Sequence, residues 1–146
     1  LPSPGHQWIA ANTCSEFVGA LKRSGCKQCK AYSSIDYIIS EDTVLQPDIS
    51  IVCGKTKKKF PDFPPALVVG LLSPTTALRD RHIKFKIYEQ QGIRYYLLVN
   101  TDAETVEIFQ LVNGVYEIVP FDEKMPFTFL PGEGCSIEVG LQEIWQ

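Results

Sequence analysis

No apolar run in this chain of 146 residues approaches the roughly 18 that a membrane-crossing helix needs, so insertion by a helix is not expected. Histidine is scarce: His6 and His82 are the only two, and neither stands at a metal-binding spacing. Glycine-rich phosphate loops and the Gly-x-Ser-x-Gly elbow are absent, which removes nucleotide-binding and serine-hydrolase chemistry. There is no excess of positive charge either. A net charge of -3 and a pI near 5.4 argue against broad electrostatic capture of nucleic acid. Residues 1–6, Leu-Pro-Ser-Pro-Gly-His, lack both the basic segment and the apolar core of a secretory signal. They also lack an initiator methionine, so the chain is expected to begin inside a longer protein. Internal repeats and low-complexity segments are missing.

What is present suits a soluble globular domain: 45% hydrophobic, 11% aromatic and 21% charged residues, on a length typical of one domain. The five cysteines (Cys14, Cys26, Cys29, Cys53, Cys135) are an odd number without the density of a secreted disulfide scaffold. Reduced thiols in a bacterial-type cytoplasm are the expectation. Cys26-Lys27-Gln28-Cys29 has the spacing of half a zinc site, but no second Cys-x-x-Cys and no His pair completes it, which favours a structural pair of reduced thiols. Basic residues gather locally, as Lys55, Lys57, Lys58 and Lys59 in one loop and as Arg79, Arg81, Lys84 and Lys86 on a later helix.

Apolar positions from Trp8 to Leu21, closed by Ser24-Gly25, predict an amphipathic helix. Residues 29–40 predict a long or broken strand ending in the Ser40-Glu41-Asp42 turn. Residues 48–53 alternate, with Ile49, Ile51 and Cys53 on one face and Asp48, Ser50 and Val52 on the other. Residues 66–72 form an unbroken apolar run typical of a central strand. Paired antiparallel, these two strands bring Asp48 and Gly70 together. A helix capped by Thr75 or Thr76 is predicted over about 77–91, closing at Gly92, with Asp80, Lys84 and Tyr88 as a polar stripe and Ile83 and Ile87 facing the core. Strands at 95–99, 105–109 and 115–119 follow, the last two joined by the strong hairpin signal Asn113-Gly114. Short strands at 127–130 and 135–139 and a helical piece near 141–145 finish the chain.

In order, Pro47-Asp48, Ser73-Pro74-Thr75-Thr76, Asp80-Arg81, Lys84, Tyr88 and Gly92-Ile93-Arg94-Tyr95-Tyr96 resemble the Uma-type putative restriction endonuclease family, a branch of the PD-(D/E)xK nuclease superfamily. The likeness covers nearly the whole chain. It implies a restriction-endonuclease-like α/β (α+β mixed) fold, a central mixed sheet flanked by helices, as a single domain over 1–146 that lacks an N-terminal segment. It further implies Mg2+ (or Mn2+) as cofactor, DNA as substrate or ligand, and a homodimer.

The resemblance matches Asp48 to the metal ligand of the Pro-Asp motif and places the second acidic ligand where Gly70 stands. Two acids matter because they hold the ion where it polarises the scissile phosphate and activates the attacking water. The superfamily lysine lies two residues beyond the second acid, a slot filled here by Leu72, and the match moves to Lys84 on the helix. Lys84 would stabilise the developing phosphorane charge, while Asp80 and Tyr88 would orient Lys84 or contact phosphate. A glycine inside a central strand packs nothing, which suggests a replaced functional side chain. The expectation is therefore a metal-dependent DNA endonuclease impaired at Gly70. Its rivals are a catalytically silent DNA-binding or protein-interaction module on the same fold, and a structural zinc module using Cys26 and Cys29.

Overall fold

The computed structural model describes residues 3–54, 63–72 and 78–146, and of residues 78–80 the main chain only. Helix α1 (Pro4–Ser24) starts where the Ser3 hydroxyl accepts the His6 N–H and proline fills the first turn. It stops at Gly25, whose φ of 73° is the left-handed conformation that a helix C-cap requires. Strands β1 (Cys29–Ser33), β2 (Tyr37–Ser40), β3 (Thr43–Leu45), β4 (Ile49–Cys53) and β5 (Leu67–Leu72) follow, then helix α2 (Leu78–Gln90). The chain ends with β6 (Tyr95–Asn100), β7 (Thr105–Val112), β8 (Val115–Ile118), β9 (Phe127–Gly132), β10 (Cys135–Val139) and a 3-10 turn, Leu141–Trp145.

Six strands form one mixed sheet in the order β1-β4-β5-β6-β7-β8. Its one parallel pair is β5 with β6, the pair separated in sequence by α2, as parallel neighbours need a crossover. Two hairpins, β2-β3 and β9-β10, stand outside this sheet. Alternation along the central strands then splits the core in two. Ile49, Ile51, Leu67, Val69, Leu71, Leu97 and Val99 pack with α1, the β9-β10 hairpin and the 3-10 turn. Val68, Tyr96 and Leu98 pack on the opposite face with Tyr37 of β2, Tyr88 of α2 and Tyr116 of β8.

The long or broken strand expected over 29–40 takes the broken form: it is interrupted at Ser34, whose φ is 49°, and its two halves enter different sheets. Other expectations need correction. Short β3 had no reading of its own. Trp8 is 61% exposed rather than buried, because its indole N–H reaches the Gln146 carbonyl at 2.9 Å. On α2 the phase is rotated: Ile83 is exposed and Tyr88 is buried, since Tyr88 and Phe85 are the residues that meet the sheet's aromatic face. The expected reduced thiols are instead two disulfides, Cys26 to Cys135 and Cys29 to Cys53, leaving Cys14 free. Sequence spacing gave no hint of this, as the partners lie 109 and 24 residues apart and meet only through topology. The Thr75 or Thr76 cap, the Ser73 to Thr76 motif and the Lys55 to Lys59 cluster lie outside the described residues.

Candidate active site

The ladder between β4 and β5 pairs Ile49 with Val69, and one step further places Asp48 opposite Gly70. Hydrogen bonds fix that relation from both sides. The Asp48 N–H donates to the Val69 carbonyl at 3.1 Å, and the Asp48 carboxylate accepts the Leu71 N–H through Oδ2 at 2.8 Å. Ser34 donates its N–H to the Asp48 carbonyl at 2.9 Å, so the start of β4 is held by both neighbouring segments. Asp48 is half-buried and also lines a cleft of about 500 Å³ with Gln7, Ser15, Ser33 and Ser34. Two residues on, the Ser50 hydroxyl is buried and has no hydrogen-bond partner among the described residues.

Gly70 belongs to the sheet face covered by α2. A Cβ built there would lie 3.6 Å from Tyr96 Oη and 3.7 Å from Leu98 Cδ2, ordinary van der Waals distances. Tyr96 in turn meets Tyr88 edge-on, with ring centroids 5.0 Å apart, and Phe85 at 6.1 Å. Lys84, one turn before Tyr88, is half-buried on the same helix. Register continues the row across the sheet, Asp48, Gly70, Leu98 and Glu107 being successive neighbours. Glu107 closes it in an ion pair with Arg81 of α2 at 2.8 Å.

Of the residues singled out in the sequence, the structure thus brings Asp48 and Gly70 side by side. It sets Tyr88 in an aromatic cluster bordering them and puts Lys84 on the covering helix. The Asp80 side chain lies outside the described residues. Tyr96, Ser50 and the Arg81–Glu107 pair escaped the sequence reading as site residues. Tyr96 and Ser50 sit inside apolar runs and read as strand formers, and the Arg81 pairing depends on register that no local pattern discloses.

Among the described residues, the donor set does not fit a two-carboxylate magnesium site. Asp48 offers one carboxylate, already accepting a main-chain N–H, and position 70 offers no side chain. Among the described residues, the one group of three or more potential ligands within reach of a common ion is Cys26, Cys29 and Cys135, far softer donors than magnesium takes.

A six-stranded mixed sheet with α1 packed on one face and α2 on the other defines a protein of the mixed α/β class. The family model described as "Uma2: Putative restriction endonuclease" matches residues 1–144, and the chain belongs to that family, within the PD-(D/E)xK superfamily. It is 28% identical over 110 residues to "Uncharacterized protein slr1290" of Synechocystis, a match covering 73% of this chain and 57% of that protein. The chain therefore spans little more than half the length of this curated relative. The fold is similar to a crystal structure of a putative nuclease belonging to DUF820 from Anabaena variabilis, with a TM-score of 0.69 and 14% identity. That match covers 99% of this chain and 82% of the other. Among the described residues no helix is long and apolar enough to cross a membrane.

Proposed function

We propose that this chain is a DNA-directed endonuclease domain of a metal-dependent family whose phosphodiester hydrolysis is impaired at Gly70. The observation that carries the reading is the pairing of Asp48 with a residue that has no side chain but has room for one. In this reading Asp48 and Lys84 are the remaining catalytic groups, and Asp80 and Tyr88 help position Lys84. The Asp48 carboxylate accepts the Leu71 N–H beside position 70, and Lys84 supplies the positive charge that a phosphate or a phosphorane attracts. No hydrolytic step through Mg2+ or Mn2+ is assigned to the chain as it stands, since one carboxylate is not the donor pair the chemistry needs. The reading also takes the protein to be a cytoplasmic homodimer, two sites addressing two strands.

The test is nicking of supercoiled plasmid in Mg2+ or Mn2+ by the native chain, by Gly70→Glu, and by Gly70→Glu combined with Asp48→Ala. Cleavage gained with the glutamate and lost with the second substitution is the expected result. DNA binding without cleavage in every form would favour the silent binding module, a reading that the bare position 70 also supports.

A further inference from the structure

The two disulfides lie side by side. Cys26 follows α1, Cys29 opens β1, Cys53 closes β4 and Cys135 opens β10. The sulfurs of Cys26, Cys29 and Cys135, drawn from both disulfides, all lie within 4.8 Å of one another. Cys53 stands outside that group of three but is bonded to Cys29. Four thiolates around a tetrahedral Zn2+ stand about 3.8 Å apart, given a Zn–S distance of about 2.3 Å.

We propose that, in the reduced chain, Cys26, Cys29, Cys53 and Cys135 form a tetrathiolate site for one structural Zn2+. The Cys26-x-x-Cys29 spacing is that of a zinc knuckle, and the second pair is supplied by strand ends that the fold brings alongside. Cys29 and Cys135 are buried, and Cys26 and Cys53 are half-buried, so the ion would be shielded from solvent. Gly132 of β9 abuts the cluster: a Cβ there would fall 3.3 Å from Cys29 Sγ and 3.6 Å from Cys53 Sγ, tight for any larger residue. A zinc tetrathiolate carries two negative charges, and Lys22, Lys27 and Lys30 line the cavity of about 650 Å³ that Cys26 and Cys29 also border. The ion would tie α1 and β1 to β4 and the β9-β10 hairpin.

The interconversion balances. Opening two disulfides takes four electrons and four protons, supplied by two equivalents of a dithiol, each oxidised to its own disulfide. Zinc then displaces four protons from the four thiols. A reducing compartment favours the metal form and an oxidising one the disulfides.

The test loads the full chain with Zn2+ under a dithiol reductant, removes excess metal by gel filtration, and counts zinc by mass spectrometry. About one zinc per chain is expected. Substitution with Co2+ should give the intense visible bands of tetrahedral thiolate ligation. Cys14→Ser should keep the metal, while Cys26→Ser and Cys135→Ser should lose it. Should those two variants fail to fold, the cobalt spectrum of the intact chain and the Cys14→Ser control still decide. A folded, fully reduced chain that retains no zinc would overturn the proposal, as would cobalt bands lacking thiolate character.

Discussion

Tyr96 stands over Gly70, its hydroxyl oxygen 3.6 Å from where a Cβ on that glycine would lie. Position 70 is therefore a place for a side chain rather than a close backbone approach that only glycine permits. Gly70→Ala should stabilise the protein by about 0.5–1 kcal/mol, through lower chain entropy in the unfolded state. A thermal melt should rise by about 2–3 °C. Gly70→Glu should behave differently, because a second carboxylate then faces Asp48. Mg2+ should raise the melting temperature of Gly70→Glu and leave that of Gly70→Ala unmoved, since only a state that binds the ion is stabilised by it. Equal responses in both variants would show that position 70 and Asp48 do not form a common site.

Asp48 is a structural acceptor as well as a candidate ligand. Replacing it by alanine strands the Leu71 N–H, at a cost of about 1–2 kcal/mol once partial solvent access is allowed for. Asp48→Asn retains an acceptor oxygen and should recover most of that loss in a urea melt. In the Gly70→Glu background both substitutions should still abolish cleavage. Asn that cleaves as well as Asp would mean that the carboxylate charge has no part in the chemistry.

Much of this architecture was legible in the residues. The Asn113-Gly114 turn adopts φ of 52° and 80°, as its hairpin signal requires, and α1 stops at the glycine predicted to stop it. The alternation of Ile49, Ile51 and Cys53 against Asp48 and Ser50 set the two faces of β4 and with them the neighbour of Gly70. What failed was whatever depended on partners remote in sequence. Helix α2 is rotated from its expected phase because aromatic contacts from β6, β7 and β8 outweigh the aliphatic preference of Ile83. Cys53 and Cys135 joined Cys26 and Cys29 only when the sheet and the β9-β10 hairpin were assembled.

The Arg81–Glu107 pair offers a separate handle on the proposed DNA binding. Both side chains are about a third exposed, 32% and 39%, so the pair contributes at most about 1 kcal/mol to stability. Glu107→Gln should hardly alter the melt but should release Arg81 toward phosphate. Affinity for duplex DNA should rise, and the slope of log affinity against log salt should steepen by about one. An unchanged salt slope would place the bound backbone away from α2.

At high pH the aromatic cluster itself becomes the weak point. Tyr116 donates its hydroxyl to the Ile93 carbonyl at 2.7 Å, wholly within the core. Burial above all, then the neighbouring Tyr96, Glu89 and Tyr88, holds its ionisation well above the ordinary tyrosine value of 10.0. Burial raises Tyr37 as well. An unfolded chain ionises these tyrosines near pH 10 while the folded chain keeps them protonated, so above that pH the unfolded state binds fewer protons. The stabilisation is whole below pH 10 and is lost progressively as the pH rises beyond it, which urea melts between pH 8 and about 11.5 should record as a falling midpoint. Tyr116→Phe should cost about 1–3 kcal/mol at neutral pH by orphaning the Ile93 carbonyl, and should flatten the alkaline slope. A variant with the native slope would assign the alkaline loss to other groups.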